Sequence, residues 1–219
     1  APKNILLRAI GPTLGGFGVD GALAAPVLTL FNDRQQILGA NTGWSTAANA
    51  DEIRLTAQRV GAFALTAASA DSALLVSLPP GAYTAQTSGR ADTTGVALVE
   101  VYDADATASA TAPRLINTAV RAQVGTGANI LIPGLVVSEG AMKTVLIRAV
   151  GPTLSSFNVT GAMADPRLRI FHGDALVAQN DNWAGGSTLA TAASTVGAFA
   201  LPASSRDAAL IIDLPPGTY

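Results

Sequence analysis

Apolar and polar positions along this chain alternate in short bursts rather than in long helical stripes. Residues 4–10 (Asn-Ile-Leu-Leu-Arg-Ala-Ile) form an apolar run closed by Gly11-Pro12, which predicts a strand ended by a turn. Pro26–Phe31 and Gln36–Ala40, separated by Asn32-Asp33, predict a hairpin. Ala73–Leu78 predicts a buried strand running into the tight turn Pro79-Pro80-Gly81, and Tyr83–Ser88 and Gly95–Asp103 predict two more. Leu115–Val124, Asn129–Ser138 and Lys143–Val150 continue the series. One stretch has another period. Ile53, Thr56, Ala57 and Val60 recur at i, i+3, i+4 and i+7, with Gly61 placed as a stop, so a short helix is predicted over 50–60. Short strands at near-regular spacing between Gly/Pro turns predict an all-β fold. The expected form is an antiparallel β-sandwich, immunoglobulin-like or jelly-roll-like, with one short helix covering an end of the sheet.

The pattern occurs twice. Leu6–Leu14 (LLRAIGPTL) returns as Leu146–Leu154 (LIRAVGPTL), so that Arg8 falls on Arg148, 140 positions on. Phe17 then falls on Phe157 and Pro26 on Pro166; with small deletions, Trp44 falls on Trp183 and Val60–Leu65 on Val196–Leu201. Leu78-Pro-Pro-Gly81 matches Leu214–Gly217, and Tyr83 matches Tyr219. The helical spacing returns at Leu189, Ala192, Ala193 and Val196, before Gly197. A repeat of this length means tandem modules, expected at 1–107 and 114–219 with 108–113, inside the Ala/Thr/Asp-rich loop 104–113, as linker. A module starting at Lys3 instead of Arg114 would complete the first copy with 114–138. Under either choice the second copy lacks the counterpart of Thr84–Asp103. A strand edge left open in this way is a template for another chain. Neighbouring copies are therefore expected partners, by strand complementation and head-to-tail contact, in a longer polypeptide or a polymerising subunit.

Composition narrows the chemistry. The 219 residues are 49% hydrophobic and 13% charged, about half the usual charged share of ~25%, which suits a folded chain rather than a disordered one. A net charge of −2 without an Arg/Lys cluster argues against nucleic-acid binding. No apolar run approaches the ~18 residues of a membrane helix, so no membrane span is expected. The opening residues do not read as a signal peptide, and the chain starts beside a strand, as a processed or partial polypeptide would. Low charge with abundant Ala, Gly and Thr suits an extracellular or cell-surface protein.

Catalysis finds few parts. There is no cysteine, and His172 is the sole histidine, set in a turn, so a nucleophile–base–orienter set cannot be assembled from ordinary residues. Asp51-Glu52 lie where a helix start favours acids. Gly15-Gly16-Phe17-Gly18 is not on a strand-to-helix turn, so it is no phosphate loop. No enzyme activity and no cofactor are expected. Calcium is the one metal to consider, through Asp103, Asp105 and Asp181 on oxygen-rich turns, although neither turn matches a full calcium loop.

The repeated residues read mainly as architecture. Gly11-Pro12 and Gly151-Pro152 fix a chain reversal, Pro80-Gly81 suits a type II turn, and Phe63, Phe199, Leu74 and Leu210 read as core. Arg8 shares a strand face with Leu6 and Ile10, and Arg148 with Leu146 and Val150. A guanidinium on an apolar face needs a partner: Asp71 and Asp207 come first, with Glu100 another for Arg8. The alternative is a solvent-facing position near the strand end. Trp44 and Trp183 read either as sugar-stacking residues or as closures of the core.

Arg-Ala-(Ile/Val)-Gly-Pro-Thr-Leu, Val-Gly-Ala-Phe and Leu-Pro-Pro-Gly-(Ala/Thr)-Tyr resemble modules repeated in large secreted bacterial proteins. Leu168–Phe171, Asn180-Asp-Asn-Trp183 and Leu214–Tyr219 are also similar to bacterial pre-peptidase C-terminal β-sandwich domains; the first copy has Asn41-Thr42-Gly43-Trp44 in place of the acidic turn. The resemblance implies accessory domains for folding, surface attachment or substrate binding. The expected function is a structural or adhesive repeat module of a fibre, stalk or filament. The alternative is a carbohydrate- or matrix-binding accessory module of a secreted enzyme, with surface glycans as partners.

Overall fold

The computed structural model describes residues 1–106 and 114–219; the expected linker at 108–113 lies outside the described residues. The chain divides into two compact units, Ala1–Leu115 and Ile116–Tyr219. Both are built of short strands in small antiparallel sheets, with one short α-helix each, so the fold is all-β.

In the first unit the strands are β1 (Lys3–Ile10), β2 (Pro26–Asn32), β3 (Ile37–Asn41), β4 (Ser72–Leu78), β5 (Tyr83–Gly89) and β6 (Leu98–Asp103), with helix α1 at Ala50–Arg59 between β3 and β4. They form two sheets, ordered β4-β1-β6 and β3-β2-β5. Strand β1 is central and buried on both faces, which is why it reads as an unbroken apolar run rather than an alternation. Ile5, Leu7 and Ala9 pack on Leu28 and Leu30 of β2. On the opposite face Leu6 meets Trp44 and the α1 residues Ile53 and Ala57. Helix α1 carries Asp51 and Glu52 in its first turn and Arg59 in its last, as the helix dipole favours. Gly61 follows in the left-handed region (φ 75°), where a residue without Cβ ends a helix at little cost.

The second unit comprises β7 (Val136–Val137), β8 (Lys143–Ala149), β9 (Leu168–His172), β10 (Ala175–Asn180), helix α2 (Ser187–Thr195), β11 (Ala208–Leu214) and β12 (Gly217–Thr218). Its ladders pair β11 with β8, β10 with β9 and β12 with β7. The repeat holds at the level of register. Arg8 lies opposite Ala73 and Arg148 opposite Ala209. The β2–β3 and β9–β10 hairpins carry a register shift at the same place, leaving out Leu38 and Val177.

Three expectations are corrected. The segment expected as a tight turn, Pro79-Pro80-Gly81, links two sheets: β4 pairs with β1 and β5 with β2. Gly81 lacks the positive φ of a type II turn. Leu115–Val124 forms no strand and Asn129–Ser138 only the two residues of β7, which pair with Gly217–Thr218; an apolar pattern alone does not place a segment against a sheet.

Candidate functional site

The repeated residues converge on two linked clusters in each unit, and the partners differ from those expected. Asp71, fully buried, accepts from Gly11 N at 2.7 Å and from the Thr13 and Ser69 hydroxyls, with Thr13 N at 3.4 Å. Asp207, also fully buried, accepts from Gly151 N at 2.7 Å and from the Thr153 amide and hydroxyl. These aspartates hold the Gly-Pro-Thr turn; they are not the ion-pair partners of the arginines. Burial pushes the Asp207 carboxyl up, but the Thr153 and Ser205 hydroxyls and the Gly151 and Thr153 amides outweigh it and hold it below the usual carboxylate range. Glycine is needed in this turn for close approach rather than for an unusual φ. A Cβ on Gly11 would lie 1.9 Å from Leu23 O, and one on Gly151 2.2 Å from Met163 O.

The same aspartates anchor the tryptophans. The Trp44 amide donates to Asp71 O at 2.7 Å, and the Trp183 amide to Asp207 O at 2.9 Å. The indole N–H groups donate to Thr66 O (3.2 Å) and Pro202 O (3.0 Å), with the Ser69 and Ser205 hydroxyls alongside. Trp44 and Trp183 are only 8% and 7% exposed. Both rings are largely enclosed and bonded within the fold, with Trp183 in the wall of a cleft.

Arg8 turns away from Asp71. Its Nη1 donates to Phe63 O at 2.7 Å, its guanidinium lies 4.5 Å from the centre of the Phe63 ring, and Nε sits 2.9 Å from Glu100 Oε2. That last contact is an ion-pair distance, but the N–H is not aimed along it, so Nε, Nη2 and Glu100 Oε2 make no hydrogen bond. Glu100 also accepts from the Tyr102 hydroxyl at 2.9 Å; burial and then this bond push the phenol up to about 12. Arg148 repeats half of the arrangement: Nη1 donates to Phe199 O at 2.6 Å and the guanidinium lies 4.4 Å from the ring centre. Among the described residues it has no carboxylate within salt-bridge distance. Burial lowers its pKa and the charge of Asp207 opposes that only in part. Phe63 and Phe199 are thus platforms for the arginines rather than core, Phe199 being exposed; Leu74 and Leu210 are half-buried.

Two of the three calcium candidates face a lysine. Asp103 and Asp105 hold the Lys3 ammonium at 2.7 and 2.8 Å, so a protein cation already occupies their oxygens. Asp105 is held below the ordinary carboxylate range by Lys3 and by the Asn4 N–H. Burial alone would lower Lys3, but the two carboxylates raise it. Asp181 is exposed, and no group of three potential metal-ligating side chains occurs among the described residues. His172 lies beside Tyr219, ring centres 5.0 Å apart.

A cleft of about 190 Å³ lies in the second unit between β8 and α2, lined by Leu146, Arg148, Trp183, Leu189, Ala193 and Ala209 among others. Sequence reasoning missed it.

Both units therefore define an all-β chain of small antiparallel sheets whose repeated polar residues bind to one another. Among the described residues no helix is long and apolar enough to cross a membrane. No protein-family model matches the chain, and no curated protein or solved structure matches it, so the resemblance to pre-peptidase domains rests on its motifs alone.

Proposed function

We propose that this chain is a structural repeat protein: β-sandwich modules in tandem, serving as a building block of an extracellular or cell-surface fibre, stalk or filament with head-to-tail contacts. The observation that carries the reading is the duplicated network. Asp71 with Asp207, Trp44 with Trp183 and Arg8 with Arg148 all direct their polar atoms at neighbouring backbone and side chains. Residues kept in both copies and spent on internal bonds serve architecture rather than catalysis. The two sheets of the first unit, sharing the core of Ile5, Leu7, Leu28 and Leu30, support the sandwich form. The carbohydrate-binding alternative loses its main ground with the buried indoles.

Light scattering and electron microscopy of the 219-residue chain over a concentration series test the proposal. Linear assemblies growing with concentration are expected. Turnover of any polymer substrate, abolished by changing one Asp or Glu, would overturn it.

A further inference from the structure

The clasp on Lys3 is built for more than an ion pair. Lys3 is only 7% exposed, and its Nζ sits 2.7 Å from Asp103 Oδ2 and 2.8 Å from Asp105 Oδ2. The two carboxylates are not equivalent. Asp105 is the more enclosed, its side chain 21% exposed against 52% for Asp103. Its other oxygen, Oδ1, accepts from the Asn4 N–H at 3.0 Å. Asp103 is held in turn by the Asp105 N–H, which donates to its Oδ1 at 3.2 Å. An amine, a carboxyl group with a backbone donor on its far oxygen, and a second carboxylate on the same amine therefore meet at one point. These are the parts of an acyl transfer: nucleophile, oxyanion donor and proton carrier. The choice of residue fits. Of the chain's 13 cationic residues only Lys3 and Lys143 are lysine. An arginine fork would clasp carboxylates well, but it stays protonated, whereas a lysine amine can be acylated.

We propose that Lys3 and Asp105 join in an intramolecular amide, with Asp103 relaying the protons. The Lys3 ammonium first gives a proton to Asp103, a step that burial of the lysine favours and the paired charges oppose. Nζ then attacks Cγ of Asp105, and the N–C bond forms as negative charge moves onto Oδ1, where the Asn4 N–H receives it. A second proton leaves the nitrogen by way of Asp103. Both protons pass to Oδ2, which departs as water, and Asp103 ends as the carboxylate it began as. One amide is gained and one water lost, with no oxidant or cofactor. Holding the groups in contact replaces a bimolecular encounter with an intramolecular one. The bond joins the first residue of β1 to a residue just beyond β6, 102 positions on. In a chain with no cysteine it does what a disulfide does elsewhere, closing a long loop and keeping β1 and β6 from parting. The inference goes beyond the structural reading above, since the bond lies within one unit whether or not chains assemble.

The intact mass of the purified 219-residue chain, incubated at neutral pH, tests the link. The expected mass is below the sequence mass by one water. A tryptic digest should yield residues 1–8 joined through Lys3 to residues 91–114. Lys3→Arg, which keeps the charge, and Asp105→Ala are expected at their full sequence masses. Asp103→Asn should slow the loss of water by on the order of 100-fold. The proposal is overturned if the native chain keeps its full sequence mass, if Lys3→Arg loses the water as the native chain does, or if the digest places the loss elsewhere. It is equally overturned if Asp103→Asn reacts at the native rate. The mass of the native chain needs no variant, so a substitution that fails to fold cannot mask the result.

Discussion

Arg8 and Arg148 hold the same place in two copies of one motif, donate to the same carbonyl of the repeat and rest on the same phenylalanine. Arg8 is nevertheless fully buried, while Arg148 is half-exposed. The aspartates a few ångströms away do not differ in this way: Asp71 and Asp207 are both fully buried with the same turn in their grip. The contrast separates two levels of organisation. The Asp–turn–Trp cluster is complete in either unit, because its members come from the turn after β1 or β8, the segment after β3 or β10 that carries the tryptophan, and the loop before β4 or β11. Closure of the layer around the arginine is not local. It needs β6, which brings Glu100, Tyr102 and Ala104 from the far end of the module.

Substitutions can break this comparison. The largest expected difference is between Arg8→Ala and Arg148→Ala. The first removes a fully buried cation and leaves the half-buried Glu100 without its partner, and should cost about 3 kcal/mol. The second removes a partly solvated cation with no paired carboxylate and should cost below roughly 1 kcal/mol. Chemical denaturation resolved by unit measures both, and equal costs would refute the account of closure. Next in size is the turn. Gly11→Ala drives a methyl into Leu23 O and should destabilise the first unit by about 3 kcal/mol, with Gly151→Ala smaller because the looser second unit can yield.

The turn also shows how much was legible in the sequence. The repeat located Gly11, Asp71, Trp44 and Arg8, and the 3.6-residue period with Gly61 and Gly197 located both helices. Pairing was not legible. A buried Asp and a buried Arg suggest each other on charge alone, yet Asp71 faces a turn rich in donors, and Thr13, repeated as Thr153, was the overlooked clue. The two-residue alternation likewise could not tell a strand with a partner from one without. Leu115–Val124 has the pattern and pairs with no strand, while the tight turn expected at Pro79–Gly81 is a link from one sheet to the other.

Smaller effects sharpen the local half of the comparison. Asp71→Ala and Asp207→Ala each strand two amides and the two hydroxyls that faced the carboxylate, and should cost about 2–3 kcal/mol apiece. Similar values in the two units are the expected outcome, in contrast to the arginines; a large inequality would show that the cluster is not self-contained. The smallest effect is on pH. Asp207 has a folded pKa below its unfolded value near ~3.9. Its contribution is fully present above that value and is lost as pH falls through the lower, folded one. Acid denaturation should therefore cut the stability of the second unit below about pH 4, and Asp207→Asn should flatten that slope, as thermal melts between pH 2 and 6 would reveal.

Site-resolved hydrogen exchange across β1 and β8 of the same chain, over a dilution series, tests the central claim most directly. Paired on both sides, β1 should exchange at one slow rate at every concentration. At high dilution β8, paired on one side alone among the described residues, should exchange roughly 100-fold faster than β1. Protection of β8 equal to that of β1 at the lowest concentration would contradict the account, since a second strand from within the chain would then already cover the edge.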